Sequence, residues 1–114
     1  MMCEKNALEF VLSSVRKYAQ ELFDDKLVSV LLYGSYARGD FDSESDIDIM
    51  IIADIETGSV ADYMRLLRDK VYMLEIENDC VLSLCITPLY NIEKYKNASP
   101  FYRNVLKNGV DIVK

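Results

Sequence analysis

Four residues between positions 34 and 48 combine groups that hold phosphates with groups that hold divalent cations. Gly34 and Ser35 directly follow an apolar run, and ten residues, 36–45, separate them from Asp46 and Asp48. A glycine has no Cβ and lets backbone amides approach an anion closely, and a serine hydroxyl is a further donor. Two carboxylates at alternate positions of a strand project from the same face, and such oxygen ligands suit Mg²⁺. The two pairs together predict a cleft that holds a phosphorylated ligand with a metal ion.

Each of these features also has an ordinary explanation when it is taken alone. A Gly-Ser pair most often only turns the chain, and Asp46, directly after Ser45, fits turn chemistry at the exposed start of a strand. Arg38 is a candidate phosphate contact, but a surface ion pair with Asp40 or Asp42 explains it equally well. Only the combination of the two pairs, in a strand, turn, loop and strand order, indicates a nucleotide cleft.

Apolar patterns assign the elements that must position these residues. The helical spacing of apolar residues predicts helices over 8–22 and 60–77, and Ser99-Pro100 and Gly109 bracket a last helix. Strands are predicted at 27–33, 47–53, 80–86 and 110–113. The first two strands are joined by a loop too short for a helical crossover, so they should be antiparallel neighbours. The expected fold is α/β, a small mixed sheet with helices packed on it, in one domain over 1–114.

The composition excludes several classes of function. Of 114 residues, 51% are hydrophobic, which is enough for one core, and the net charge of −6 provides no field that would hold duplex nucleic acid or an anionic membrane. The chain has no histidine, which rules out a Ser-His-Asp triad and a His-ligated zinc. Its three cysteines do not form a metal-binding pair. No apolar run reaches the roughly 18 residues of a membrane helix and no signal core is present, so a cytoplasmic location is expected.

The segment GSYARGDFDSESDID, residues 34–48, resembles the signature of the minimal nucleotidyltransferases. These are small members of the DNA polymerase beta-like nucleotidyltransferase superfamily that are partners of HEPN-domain proteins. The resemblance implies that Asp46 and Asp48 are catalytic and bind Mg²⁺, and that Gly34, Ser35 and Arg38 bind the nucleotide. It further implies transfer of AMP from ATP to a tyrosine of a HEPN toxin, with this chain as the antitoxin.

The chain departs from that family pattern at the third carboxylate. The family carries an Asp on a neighbouring strand, but the inward polar position of the strand at 80–86 is Ser83, which is no carboxylate base. Asp79 has the parity of Ser83 and would serve as a third metal ligand only in a shifted register. The alternative function is therefore a weak or inactive nucleotidyltransferase-like module that regulates a HEPN partner by binding. A small-molecule acceptor is a further enzymatic option, and the sequence is also compatible with an oligomer.

Overall fold

The computed structural model describes residues 5–42 and 45–113. Along these residues the helices and strands follow one another as α1 (Lys5–Phe23), β1 (Leu27–Tyr33), α2 (Gly34–Arg38), β2 (Ile47–Ala53), α3 (Val60–Asn78), β3 (Leu82–Pro88), α4 (Leu89–Tyr95), α5 (Pro100–Asn108) and β4 (Val110–Asp111). The strands form one mixed sheet in the order β3–β2–β1–β4. None of the described helices is long and apolar enough to cross a membrane.

The central part of the sheet is the antiparallel pair β1 and β2, whose bounds are those predicted from the two apolar runs. Every residue of β2 except Asp48 is buried, because β2 lies between two strands and is covered on both faces. The register pairs Leu32 with Ile49 and Tyr33 with Asp48. On its other side, β2 runs parallel to β3. The predicted antiparallel neighbours and mixed sheet are therefore confirmed.

Helices cover both faces of this sheet. On one face α1 and α3 pack through a core that includes Val11, Val15, Leu67 and Leu74. On the other face a smaller core joins Leu31, Met50 and Ile52 of the sheet to Ile92 of α4 and Val105 of α5. Side chains alternate between the faces along a strand. Asp48 therefore lies on the same face as Met50, the face covered by α4 and α5.

Two differences from the predicted elements lie between residues 78 and 95. Helix α3 continues to Asn78, whose side-chain amide donates to the Leu74 carbonyl at 2.9 Å, so that β3 begins only at Leu82. Asp79 ends that helix in a left-handed conformation with φ of 52° and is not an extended strand residue. Helix α4, Leu89–Tyr95, was not predicted, because a helix of seven residues is too short to show an apolar period.

The last predicted helix and strand are both present. The glycine that ends the helix is required for a different reason from the one predicted. The Ser99 hydroxyl accepts from the Tyr102 amide at 3.2 Å and caps the start of α5, as predicted. Gly109 ends α5, but its φ is −70°, so no left-handed conformation requires a glycine there. A Cβ at Gly109 would instead overlap the Val105 carbonyl oxygen. Strand β4 is shorter than predicted and pairs with β1 through Val110 and Asp111.

Candidate active site

The two sequence features that predict a nucleotide cleft are in contact through Gly34 and Asp48. Gly34 follows β1 directly and has φ of +73°, a conformation that L side chains rarely adopt. A Cβ at Gly34 would overlap the Oδ2 atom of Asp48. Glycine is thus required at this position both by the backbone and by the neighbouring carboxylate. The turn after β1 and the start of β2 therefore form one site.

Asp48 lies between two polar neighbours on adjacent strands. The sheet register places Tyr33 of β1 on one side and Ser83 of β3 on the other. Asp48 is half-buried, whereas Asp46, two residues earlier at the entrance to the strand, is exposed. The Oγ atom of Ser45, the residue before Asp46, accepts from the Asp42 amide at 2.9 Å. Asp48 is therefore positioned by the strand ladder, and Asp46 follows a residue that is itself hydrogen-bonded.

The electrostatics of the pair favour a positively charged ligand. Burial raises the pKa of Asp48 above its usual value, and the nearby negative charge of Asp46 raises it further. Hydrogen bonding by the Ser83 hydroxyl and the positive charge of Arg38 act on the pKa of Asp48 in the opposite direction. A carboxylate whose ionisation is opposed both by burial and by a neighbouring negative charge is a favourable partner for a cation.

The structure does not bring Asp79 to this pair. Asp79 is exposed at the end of α3, and the parallel register sets Ser83, not Asp79, opposite Asp48. Because Asp79 lies outside β3, its even spacing from Ser83 does not place the two side chains on the same face of the sheet. Across residues 5–42 and 45–113, no group of three or more His, Cys, Asp or Glu side chains could hold a metal ion. Within the described part of the chain, the carboxylates at the site are the pair Asp46 and Asp48.

Ser35 and Arg38 lie in α2, next to Asp48. The Ser35 carbonyl accepts from the amides of Gly39 at 2.9 Å and Asp40 at 3.1 Å, which closes this short helix. Arg38 makes one of the two ion pairs considered in the sequence, with its Nε 3.2 Å from Asp40 Oδ2. Both of these side chains are exposed, so the ion pair is weak, and the Arg38 charge also acts on Asp48.

A cavity of about 260 Å³ opens beside the turn after β1. Gly34, Ala37 and Arg38 line one side of it, and α5 lines the other. The residues of α5 at the cavity are Phe101, Asn104, Val105 and Asn108. Tyr33 completes the wall, and its ring meets the Phe101 ring edge to face at a centroid distance of 5.6 Å. The candidate phosphate turn thus shares a cavity with a helix that is 60 or more residues away in sequence.

Sequence reasoning did not identify Tyr33, Asn104 or Asn108 as site residues. Burial raises the pKa of the Tyr33 hydroxyl, and Asp48 and Cys85 add to this effect, which records how close Tyr33 lies to the carboxylate. The one sequence feature that indicated a site role for Tyr33 is its position directly before Gly34. Asn104 and Asn108 are one helical turn apart in a helix with a recognisable Ser-Pro start, but only the packing of α5 on the sheet brings them to the site.

Comparisons with known proteins identify relatives of this chain. The family model of the nucleotidyltransferase domain matches residues 12–112. Two proteins of Methanocaldococcus jannaschii, "Putative protein adenylyltransferase MJ0604" and "Putative protein adenylyltransferase MJ0141", are similar to this chain along nearly its whole length. The first is 34% identical over 106 residues, 93% of both chains, and the second is 31% identical over 104 residues, 90% of this chain and 95% of the relative.

Two solved structures share the fold. One, described as a putative nucleotidyltransferase from Sulfolobus solfataricus, matches 97% of this chain and 89% of its own at 24% identity, with a TM-score of 0.53. A chain of the toxin-antitoxin complex MntA-HpeT matches 88% of this chain and 70% of its own at 18% identity, with a TM-score of 0.53. The family match covers almost the entire sequence, including all of the residues that line the cavity, and the chain therefore belongs to the nucleotidyltransferase domain family.

Proposed function

We propose that this protein is a Mg²⁺-dependent adenylyltransferase that transfers AMP from ATP to a hydroxyl group and releases pyrophosphate. The observation that carries the proposal is the contact of Gly34 with Asp48. This contact sets a turn that can accept phosphates directly against a carboxylate pair that can hold a cation. A nucleoside triphosphate with its metal ion needs both kinds of group in one place.

The residues present fit Mg²⁺. This ion keeps several waters and is commonly held by one or two carboxylates together with substrate phosphates, so that a third protein carboxylate is not essential for binding. Asp46 and Asp48 would hold it. The raised pKa of Asp48 shows that its ionised form is unfavourable, and a bound cation would stabilise that form. When bound, the ion supplies neutralisation of the phosphate charge and polarisation of the reacting oxygens.

The remaining site residues would orient the nucleotide. Gly34 and Ser35 would contact its terminal phosphates through the turn after β1. Arg38 makes an ion pair with the exposed Asp40, and a phosphate is a stronger partner for a guanidinium than a solvated carboxylate. Arg38 would therefore exchange Asp40 for the nucleotide when ATP binds.

The acceptor that we propose is a tyrosine of a HEPN-domain toxin, with this protein acting as the antitoxin in the cytoplasm. The names of the Methanocaldococcus jannaschii relatives support a protein acceptor. The form of the segment at residues 34–48, which resembles the HEPN-associated nucleotidyltransferases, supports the class of partner. Modification of an active-site hydroxyl would silence such a toxin by adding bulk and negative charge.

A second candidate function is a binding module that regulates the same partner without turnover. Ser83 favours it, because this residue stands opposite Asp48 where a third carboxylate would otherwise complete the site. A serine cannot take a proton from the acceptor hydroxyl at neutral pH. In this case the complex with the partner would form, but no AMP would be transferred.

Incubation of the protein with Mg²⁺, ATP labelled at the α-phosphate, and the HEPN protein encoded by a neighbouring gene distinguishes the two. We expect label on the partner, and we expect Asp46→Asn together with Asp48→Asn to abolish it. Asp69→Asn, which changes an exposed carboxylate of α3 on the other side of the sheet, is the matched control and should leave labelling intact. A tight complex without any label would exclude the enzyme and support the binding module.

A further inference from the structure

The surface of α5 that faces the site carries an aromatic ring and two amides, and the proposed catalytic residues use none of them. Phe101, Asn104 and Asn108 occupy positions i, i+3 and i+7 of the chain and line the cavity together. All three are exposed, and the Phe101 side chain retains 47% of its accessible surface. An exposed ring and two amides beside a candidate phosphate turn form a surface with both stacking and hydrogen-bonding capacity.

The two amides are fixed relative to each other. Asn108 Nδ2 donates to Asn104 Oδ1 at 3.0 Å across one turn of the helix. This bond uses one donor of one amide and one acceptor of the other. It leaves an N–H donor on Asn104 and a carbonyl acceptor on Asn108, and if both amides are turned round the same pair of groups remains with the residues exchanged. The helix therefore presents a remaining donor and a remaining acceptor on two neighbouring side chains.

We propose that this face of α5 binds the base of the nucleotide and selects adenine. Adenine offers an amino donor next to a ring-nitrogen acceptor, the complement of the free donor and acceptor of the amide pair. In DNA recognition a single asparagine amide binds adenine through one donor and one acceptor, and the pair here offers the same two groups from two side chains. Guanine carries two adjacent acceptors on the corresponding N7 edge, so the free amide carbonyl would face a carbonyl oxygen. The inference rests on the proposed function and names the residues that give it its nucleotide preference.

Phe101 supplies the flat surface that a base needs. Its ring meets Tyr33 by an edge-to-face contact, with an interplanar angle of 76°, so the two rings are not stacked on each other. A base that stacks on Phe101 would have its edge near the amides of the same helix, and the cavity continues from there to Gly34 and Arg38. A base on Phe101 and phosphates at Gly34 and Arg38 would thus lie in the same cavity.

Binding measurements separate base recognition from phosphate recognition. Calorimetric titration with ATP, GTP and inorganic triphosphate, each with Mg²⁺, reports the base and the phosphates individually. We expect wild type to bind ATP more tightly than GTP. Asn104→Ala together with Asn108→Ala should weaken ATP binding by about fivefold per amide, from the usual strength of a neutral hydrogen bond, and should remove the preference over GTP. Binding of inorganic triphosphate should not change.

Phe101→Leu should weaken the binding of both ATP and GTP, because stacking does not depend on which purine is present. Asn97→Ala is the matched control, since Asn97 is exposed between α4 and α5 and does not line this cavity. Unchanged ATP affinity and preference in the double variant would overturn the base site while leaving the proposed function standing. A wild-type protein that binds inorganic triphosphate but gains nothing from the adenosine would overturn it as well. A wild type that binds neither would overturn the proposed function and the base site together.

Discussion

Gly34 shows how one residue can serve both the backbone and the chemistry of a site. It takes a positive φ to start α2, and it leaves room for the Asp48 carboxylate where any side chain would intrude. Gly39, at the other end of α2, has φ of +83°, but no atom lies within 4 Å of the position of its missing Cβ. The two glycines therefore share the conformational requirement and differ only in the contact with Asp48.

This difference predicts unequal effects of the same substitution. Gly39→Ala should lower the free energy of unfolding by about 1–2 kcal/mol, the cost of a left-handed alanine, and should leave binding of Mg²⁺ and nucleotide unchanged. Gly34→Ala should cost more and should also abolish that binding, because the new methyl group displaces the Asp48 carboxylate. Urea denaturation and calorimetric titration of both variants check this. Equal losses of stability with binding retained in both would show that the contact with Asp48 has no role.

At the scale of elements, α5 supplies one wall of the cavity at the site. The hairpin of β1 and β2 carries Gly34, Asp46 and Asp48, but the opposite wall of the cavity belongs to α5, which packs on the sheet through Val105. Ser99 fixes the first turn of that helix by accepting from the Tyr102 amide. The capping hydroxyl thus acts together with the packing of Val105 to position the first turn of α5, which carries Phe101.

Removing this cap should affect stability and nucleotide binding together. Ser99→Ala should lower the free energy of unfolding by about 1 kcal/mol and should weaken ATP binding, because the first turn of α5 carries Phe101. Ser13→Ala, at an exposed position of α1, should change stability by less than about 0.5 kcal/mol and leave ATP binding unaltered. The measurements are urea denaturation and titration with ATP. If Ser99→Ala behaved like Ser13→Ala, the cap would not control the cavity wall.

The predicted and observed elements show which parts of the fold and of the site follow from local sequence patterns. β1 and β2 were predicted with their observed bounds, because each is an apolar run that ends at a glycine or a polar segment. Asp79 was weighed as a third ligand on the parity of an extended chain, but it lies in a left-handed conformation at the end of α3, which no local pattern shows. The motif at 34–48 holds the carboxylates and the turn within one short segment. Asn104 and Asn108 depend on how α5 packs against the sheet, and a local pattern does not carry that information.

For the molecule as a whole, the Asp48 carboxylate lowers the stability of the folded state at neutral pH. The raised pKa of Asp48 means that the folded protein holds a proton on this group more readily than the unfolded chain does. Stability therefore falls as the pH rises from the ordinary value of 3.8 through the raised value, and this cost remains in full at higher pH. A site that is arranged for a cation reduces the stability of the protein that carries it.

Asp48→Asn should consequently raise the free energy of unfolding at pH 7, measured by urea denaturation without Mg²⁺. The difference from wild type should shrink as the pH falls below 3.8, where the carboxyl is protonated in both states. Asp69→Asn controls for the loss of a negative charge from an acidic protein and should give a smaller gain. A destabilised Asp48→Asn at pH 7 would mean that the carboxylate contributes more to the fold than its burial and repulsion cost.

The closeness of Gly34 to Asp48 along the chain has a consequence for the order in which the site is built. Both belong to one hairpin, and a hairpin closes within microseconds once its strands are available. The cavity wall on α5 leaves the ribosome more than fifty residues later. The proposed phosphate and cation groups can thus come together before α5 has been made, whereas the base recognition that we propose has to wait for that helix.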